Sequence, residues 1–259
     1  MSPTEAPALT VLGSCGGTPE PGRACAGMLL EFGDLAVVLD LGYGTLPALL
    51  DAVGDVRCVA GVVLTHRHPD HVSDASGLLR VLRYHAPEHL PWLAAAEGVI
   101  EVLAAVEPEA WSDGPPVPVL PLPGMHDVEG LRLTAVTTPH WVPHAAVRVD
   151  VGDRSVVYSA DGGIGPCLAA LAAGTDLLVC GVTERAAPGV PAPAEDAENL
   201  MTARAAGELA ETAGVGTLLL THFWPGTDRE RAASEARAKT SATVLVADEA
   251  LVVPVTRRP

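Results

Sequence analysis

The chain of 259 residues is 48% hydrophobic and is long enough to bury a large core. It carries 32 acidic against 16 basic residues, and its formal charge of −16 argues against a nucleic-acid-binding surface, which depends on Lys and Arg. The sequence shows neither a linker-like break nor an apolar run of membrane-spanning length. We therefore expect one domain over residues 1–259 and no membrane partner.

The cysteine usage indicates the redox compartment. Five cysteines occur without a C-x-x-C pair and without the spacing of a disulfide framework. The N-terminus lacks the basic and apolar segments of a secretory signal. We therefore expect reduced thiols in a cytoplasmic protein.

Apolar runs separated by turn residues predict strands and helices in the first half of the chain. The predicted strands cover residues 8–12, 27–32, 35–39, 59–64 and 92–95. The predicted helices cover residues 73–84 and 98–106. Residues 108–124 are rich in Pro and Gly and lack Lys and Arg, which predicts an extended surface loop.

The second half continues the same alternation. Its predicted strands cover residues 131–136, 145–151, 155–158, 176–182 and 216–220. Its predicted helices cover residues 168–173, 195–213 and 228–238. Two last strands, 243–247 and 250–255, are expected to close the chain as a hairpin.

Two polar segments follow early strands. Residues 13–19, Gly-Ser-Cys-Gly-Gly-Thr-Pro, lack the lysine and the glycine spacing of nucleotide-binding loops. We expect them to form a tight loop that lets backbone approach a site. Asp40 ends the third strand, where it either orients a ligand imidazole from behind or opens a turn.

The most informative stretch is Thr-His-Arg-His-Pro-Asp-His, residues 65–71, directly after the fourth strand. On an irregular turn His66 and His68 can point the same way and bind one transition-metal ion. Asp70 and His71 then start the next segment in other directions, which suits a second ion. The stretch therefore predicts half of a two-metal site.

Three later segments supply further ligand candidates. His140 and His144 follow a predicted strand, and their spacing does not choose between them as the third ligand of the first ion. Asp161 ends a strand with two glycines behind it, so its carboxylate could approach two ions and bridge them. His222 ends an apolar strand in Leu-Thr-His, as His66 does, and is the natural last ligand.

The order of these residues resembles the metallo-β-lactamase superfamily. His-x-His-x-Asp-His, then a His before a hairpin, an Asp after a strand and a final Leu-Thr-His occur in that sequence. Residues 12–19, 39–44 and 220–223 make the chain most similar to the ribonuclease Z branch. The similarity covers nearly the whole chain.

The resemblance implies an α+β fold of the αββα type, with two mixed β-sheets face to face and helices outside. It also implies two zinc ions per chain at one edge of the sandwich, and the Pro-His-x-Val-Pro pattern assigns the third histidine to His140. The implied ligands are His66, His68 and His140 for one ion, Asp70, His71 and His222 for the other, and Asp161 as the bridge. Asp40 would orient a ligand from behind.

The implied chemistry is hydrolysis. Two metals can share a water whose pKa falls from about 15.7 towards 7, which supplies a bridging hydroxide at neutral pH. Asp70 would orient this hydroxide, and His144 is the candidate acid for the leaving group.

Departures from the branch argue against pre-tRNA as the substrate. Ribonuclease Z enzymes usually carry Gly-His-Ser-Thr where residues 198–202 read Glu-Asn-Leu-Met-Thr, and Glu-Ala-Thr where residues 181–183 read Gly-Val-Thr. Their tRNA-gripping arm has no evident counterpart in this sequence. We therefore expect a phosphodiester or similar ester of a small molecule, and we allow for a homodimer.

Three alternatives stay open. Tyr43, Trp141, Phe223 and Trp224 lie near proposed site residues, and an aromatic pocket would suit a thioester or lactone of an aromatic or polyketide-like metabolite. A non-catalytic zinc-binding module would keep the fold without turnover. An iron-dependent oxidoreductase would use similar ligands, although such relatives typically add carboxylates to the central motif.

Overall fold

The computed structural model describes residues 7–184 and 194–257. The strands in these ranges are β1 (Ala8–Gly13), β2 (Gly27–Phe32), β3 (Leu35–Leu41), β4 (Val59–Leu64), β5 (Trp92–Ala96), β6 (Val119–Leu122), β7 (Gly124–Val128), β8 (Leu131–Thr137), β9 (Ala145–Val151), β10 (Arg154–Tyr158), β11 (Leu177–Gly181), β12 (Thr217–Thr221), β13 (Thr243–Val246) and β14 (Val252–Pro254). The α-helices are α1 (Thr45–Val53), α2 (Pro69–Val72), α3 (Ala75–His85), α4 (Val99–Val106), α5 (Pro166–Ala172), α6 (Asp196–Asn199), α7 (Ala203–Ala213) and α8 (Arg229–Arg237).

The strands form two mixed sheets of seven strands each. The first sheet has the order β14-β1-β2-β3-β4-β5-β6, and the second has the order β13-β12-β11-β10-β9-β8-β7. Each sheet has three consecutive antiparallel pairs and three consecutive parallel pairs, with the antiparallel pairs at the β14 end of the first sheet and at the β7 end of the second. The two halves of the chain therefore build their sheets on the same plan.

The layers are held together by apolar side chains that alternate along the central strands. Leu177 and Val179 of β11 belong to the core shared by both sheets. Leu178 and Cys180 of the same strand instead pack with residues of α5, α7 and α8 on the outer face. Helices α1, α3 and α4 contribute to the core on the side of the first sheet. The expected fold of two mixed sheets flanked by helices is confirmed.

The helices are short. The longest described helices, α3 and α7, have 11 residues each. Within the described ranges, none combines the length and the apolar character that crossing a bilayer requires.

Two segments depart from the predicted secondary structure. Residues 108–124, expected to form a loop, contain β6, which pairs in parallel with β5. Residues 195–213, expected to form one helix, are split into α6 and α7 because Leu200 is extended. The hydroxyl of Thr202 then accepts a hydrogen bond from the backbone N–H of Ala205 and caps α7.

The predicted closing hairpin is wrong. Strand β13 pairs in parallel with β12 in the second sheet, whereas β14 pairs antiparallel with β1 in the first. Two short apolar strands close together in sequence are typical of a hairpin, but here each completes a different sheet.

The carboxyl ends of central strands from both sheets meet at one edge of the sandwich. Backbone hydrogen bonds join the sheets there, from the N–H of Ala145 to the carbonyl of Thr65 (3.0 Å) and from the N–H of Phe223 to the carbonyl of Ser14 (3.0 Å). Residues far apart in sequence are therefore brought together at this edge.

Candidate metal centre

Three histidines form the first cluster at this edge. His66 and His68 lie on the turn between β4 and α2, and His140 follows β8. His68 Nδ1 lies 2.9 Å from His66 Nε2 and 3.1 Å from His140 Nε2. The three nitrogens therefore converge on one point.

A second cluster lies beside the first. Asp70 and His71 are carried by α2, and His222 follows β12. His222 Nε2 lies 3.0 Å from His71 Nε2 and 3.2 Å from Asp70 Oδ2. These ligand atoms thus also face one another.

Asp161, after β10, lies between the two clusters. Its Oδ1 is 3.6 Å from His66 Nε2, and its Oδ2 is 3.6 Å from His140 Nε2. The same Oδ2 is 3.9 Å from His71 Nε2 and 3.7 Å from His222 Nε2. One carboxylate therefore faces both groups of ligands.

The donor set fits a pair of zinc ions. Nitrogen ligands of tetrahedral zinc stand 2.0–2.1 Å from the ion, which separates them by about 3.4 Å. The ligand atoms of each group lie within 4.8 Å of one another, with Asp161 counted in the first group. Imidazole nitrogens combined with carboxylate oxygens suit zinc and also iron.

Burial sets the protonation of the first cluster. It lowers the pKa of His66 well below its ordinary value, and the nearby His71 adds to this effect. It also lowers the pKa of His140 to about 4 and reduces that of His68. At neutral pH these imidazoles are neutral, so each keeps a lone pair for a metal.

Carboxylates set the protonation of the second cluster. Burial opposes a charge on His71, but Asp70, Asp40 and Asp161 outweigh it and raise the pKa of His71 to about 10. Burial also opposes a charge on Asp70, yet the nearby His71 and His222 lower the pKa of Asp70. Without metal, His71 therefore holds a proton at neutral pH that an incoming ion must displace.

Asp40 lies behind the second cluster, where it contacts His71. Its Oδ2 accepts hydrogen bonds from His71 Nδ1 (2.7 Å) and from the hydroxyl of Tyr158 (3.0 Å). Its Oδ1 accepts one from the backbone N–H of Thr65 (2.8 Å). Burial and the charge of Asp40 raise the pKa of Tyr158 well above its ordinary value, so this hydroxyl stays a donor. These contacts fix the ring of His71 with Nε2 towards the cluster.

Comparison with known families agrees with this geometry. Residues 38–223 match the family described as the Beta-lactamase superfamily domain. The chain belongs to the beta-lactamase superfamily. It is a metal-dependent hydrolase with the metallo-β-lactamase fold, and its relatives include proteins named ribonuclease Z.

Relatives within the superfamily cover most of the chain. The uncharacterized protein Rv1339 of Mycobacterium tuberculosis is 33% identical over 95% of this chain and 92% of its own length. Ribonuclease Z of Kineococcus radiotolerans is 32% identical over 92% of this chain and 89% of its own length. The crystal structure of the metallo-beta-lactamase fold protein YhfI from Bacillus subtilis superimposes with a TM-score of 0.81, at 25% identity, over 96% of this chain and 99% of that one.

The early glycine-rich loop of this superfamily member approaches the centre, which confirms the prediction for residues 13–19. The backbone N–H of Gly17 donates to Asp70 Oδ2 at 2.6 Å. A Cβ on Gly16 would lie 2.4 Å from His222 Nδ1, so only glycine allows this close approach.

His144 lies beside the clusters rather than in them. Its Nε2 is 3.4 Å from Asp161 Oδ1, and its side chain is buried. Of the two histidines left open by spacing, His140 is the one that faces His68.

Several supporting residues of this superfamily site were missed from the sequence. The hydroxyl of Thr183 lies 2.7 Å from His222 Nδ1, and the hydroxyl of Thr138 lies 2.6 Å from His144 Nδ1. The carbonyl of Asn199 accepts from His140 Nδ1 at 3.2 Å. Thr138 and Thr183 each follow a strand at the site edge, and a polar residue just beyond an apolar strand was the available signal.

The aromatic residues do not form one pocket. Phe223 is 1% exposed and packs in the core of the second sheet, whereas Trp141 is 42% exposed. Trp141 and its neighbours Pro139 and Val142 line an open groove of about 650 Å³ beside His140. An apolar surface therefore adjoins the first cluster.

Proposed function

We propose that this chain is a zinc-dependent hydrolase that cleaves a phosphodiester or similar ester of a small molecule. The proposal depends on the position of Asp161. Its carboxylate oxygens lie 3.6–3.9 Å from histidine Nε2 atoms of both clusters. Such an arrangement suits two ions that share one bridging ligand.

The proposed ligands are those expected from the sequence. The first ion would be held by His66, His68 and His140, the second by Asp70, His71 and His222, with Asp161 between them. Bound zinc supplies a hydroxide nucleophile at neutral pH and stabilises charge on the reacting group.

Asp70 has a second task in this proposal. Its Oδ2 accepts a hydrogen bond from the N–H of Gly17 and faces the second ligand group, which leaves Oδ1 to accept a hydrogen bond from the attacking water. Water oxygen bonds to the phosphorus or carbonyl carbon, the ester bond breaks, and one proton ends on the leaving oxygen. Asp70 thus orients the nucleophile.

The distribution of cations supports an anionic small molecule over RNA. Among the described residues, every Lys and Arg except Arg67 and Arg83 lies within 4.0 Å of a carboxylate oxygen. Little positive charge is then left for a polynucleotide backbone. Arg67 is exposed between two proposed ligands, where it could bind a substrate phosphate or carboxylate, and a Cβ on Gly98 would lie 3.0 Å from its Cδ.

The groove beside Trp141 favours a second candidate substrate. An apolar surface next to His140 would hold the organic part of a thioester or lactone as well as that of a phosphodiester. The two candidates share the metal centre and differ in the bond that is broken.

We further propose one domain that works in the cytoplasm. Both sheets contribute to one core, which suits a single domain. All five cysteines are free thiols, which suits a reducing compartment.

The proposed partner is a small molecule, and a homodimer is to be tested by light scattering.

A hydrolysis screen on the metal-loaded protein tests the proposal. We expect about two zinc ions per chain, and faster hydrolysis of bis(p-nitrophenyl) phosphate than of aryl esters, thioesters or lactones. Arg67→Gln should raise KM for the anionic substrate without loss of zinc, whereas Arg83→Gln, which removes the other unpaired Arg, should leave KM unchanged. Preferred cleavage of a lactone or thioester would favour the second candidate, and two zinc ions without turnover would favour a non-catalytic module.

A further inference from the structure

We infer that Thr138 and His144 form a positioning pair that holds Asp161 in the orientation in which it faces both clusters. The inference rests on the proposed function for its catalytic meaning, but its structural content concerns only this chain and its metal ligands. It gives His144 a role different from that of a leaving-group acid.

The three side chains form a buried line. The hydroxyl of Thr138 lies 2.6 Å from His144 Nδ1, and His144 Nε2 lies 3.4 Å from Asp161 Oδ1. They are 4%, 2% and 5% exposed respectively. Within the described part of the chain, neither His144 Nε2 nor Asp161 Oδ1 has a hydrogen-bond partner, and each lies 3.4 Å from the other. Each of these two buried polar atoms therefore has the other as its available counterpart.

The chemistry of the three groups sets the direction of the hydrogen bonds. The Asp161 carboxylate only accepts, so His144 Nε2 must carry the proton that faces Oδ1. His144 Nδ1 is then an acceptor, and the hydroxyl of Thr138 donates to it. Thr138 therefore selects the tautomer in which His144 can hold the carboxylate.

The position of Oδ1 explains why this hold matters. Oδ1 also lies 3.6 Å from His66 Nε2, whereas the opposite oxygen, Oδ2, faces His140, His71 and His222. A hydrogen bond at Oδ1 fixes rotation of the carboxylate and so aims Oδ2 at both clusters. Asp40 has the equivalent effect on His71 in the second cluster.

Gly162 makes room for the pair. A Cβ at this position would lie 2.5 Å from the hydroxyl oxygen of Thr138 and 2.7 Å from His144 Cε1. The residue that follows Asp161 must therefore be glycine for the pair to reach the carboxylate.

Thr138→Val, which removes the hydroxyl and keeps the shape, tests the inference. We expect zinc affinity to fall by about 10–100-fold, the visible spectrum of the cobalt-substituted protein to change, and kcat to fall with KM unchanged. Thr138→Ser should restore all three. Thr175→Val is the matched control. It removes a buried hydroxyl that lies away from the site and donates to the carbonyl of Ser155 at 3.1 Å.

Coupling with His144 decides whether Thr138 acts through it. His144→Ala should weaken zinc binding similarly, and adding Thr138→Val should cause little further loss. Fully additive losses, or an unchanged cobalt spectrum in Thr138→Val, would overturn the inference. Unchanged zinc affinity combined with selective loss of substrates that have poor leaving groups would instead assign His144 as the acid.

The metal measurements need no substrate, so they separate this inference from the proposed function. If zinc affinity and the cobalt spectrum respond as expected while no ester is hydrolysed, the pair is supported and the proposed function fails. If hydrolysis is observed and the metal measurements do not respond, the proposed function stands and the pair is rejected.

Discussion

The two ligand clusters lie side by side at one edge of the sandwich, yet they differ in charge. The first consists of imidazoles that burial keeps neutral, with a pKa of about 4 for His140. The second contains Asp70 and is backed by Asp40, and these carboxylates raise the pKa of His71 to about 10. The first cluster can therefore bind a metal without losing a proton, whereas the second must lose the proton of His71 before it can bind one.

The largest expected effect comes from the residue common to both clusters. Asp161→Asn keeps the size of the side chain but removes its charge, so both ions should bind weakly. Loss of the several kcal/mol that a metal supplies predicts at least about a 1000-fold fall in activity. Zinc content by mass spectrometry and the initial rate of hydrolysis measure this. Retention of two tightly bound zinc ions in the variant would contradict the bridging role.

A pair of ligand variants should separate the clusters. His68→Ala is expected to lose the first ion and His222→Ala the second, each leaving about one zinc per chain, because no ligand other than Asp161 faces both groups in the proposal. Both should lose most of their activity. Zinc content after gel filtration is the measurement, and simultaneous loss of both ions in each variant would mean that the clusters behave as one unit.

Asp40→Asn is expected to have a smaller effect, which is confined to metal binding by the second cluster. The amide cannot accept hydrogen bonds from His71, Tyr158 and Thr65 with the strength of a carboxylate, so zinc affinity of the second cluster should fall by about 10–100-fold. The first cluster should keep its affinity. Competition with a fluorescent chelator measures the zinc affinities of the two clusters separately. Tyr158→Phe removes one of the donors and serves as the milder control.

The smallest effect is on the pH dependence of metal binding. Because the second ion displaces a proton from His71, its affinity should rise about tenfold per unit between pH 7 and 9, while that of the first stays constant. The same proton stabilises the folded metal-free protein: its contribution is complete below about pH 6.5 and is lost as pH rises towards 10. Chelator competition at pH 7, 8 and 9 measures the affinities of the two ions. An equal dependence of both affinities on pH would contradict the predicted difference between the clusters.

Most of the proposed ligands could be found in the sequence because they lie in short segments at strand ends. Four of them fall within six residues: His66, His68, Asp70 and His71. In the structure His66 Nε2 lies 2.9 Å from His68 Nδ1, and Asp70 Oδ2 lies 3.6 Å from His71 Nε2. Asp40 was found by the same logic, although spacing could not distinguish an orienting carboxylate from a turn residue. The buried strands were equally visible, since continuous apolar runs reflect burial on both faces.

By itself, the sequence determined the central strands, the metal-binding motif and the superfamily, because each depends on local patterns of apolar and ligand residues. Only the tertiary structure decided that β13 and β14 join different sheets, that Thr138 contacts His144 and that Tyr158 contacts Asp40. These outcomes depend on contacts between segments far apart in the chain, and such contacts arise only when both sheets pack and bring their strand ends to one edge.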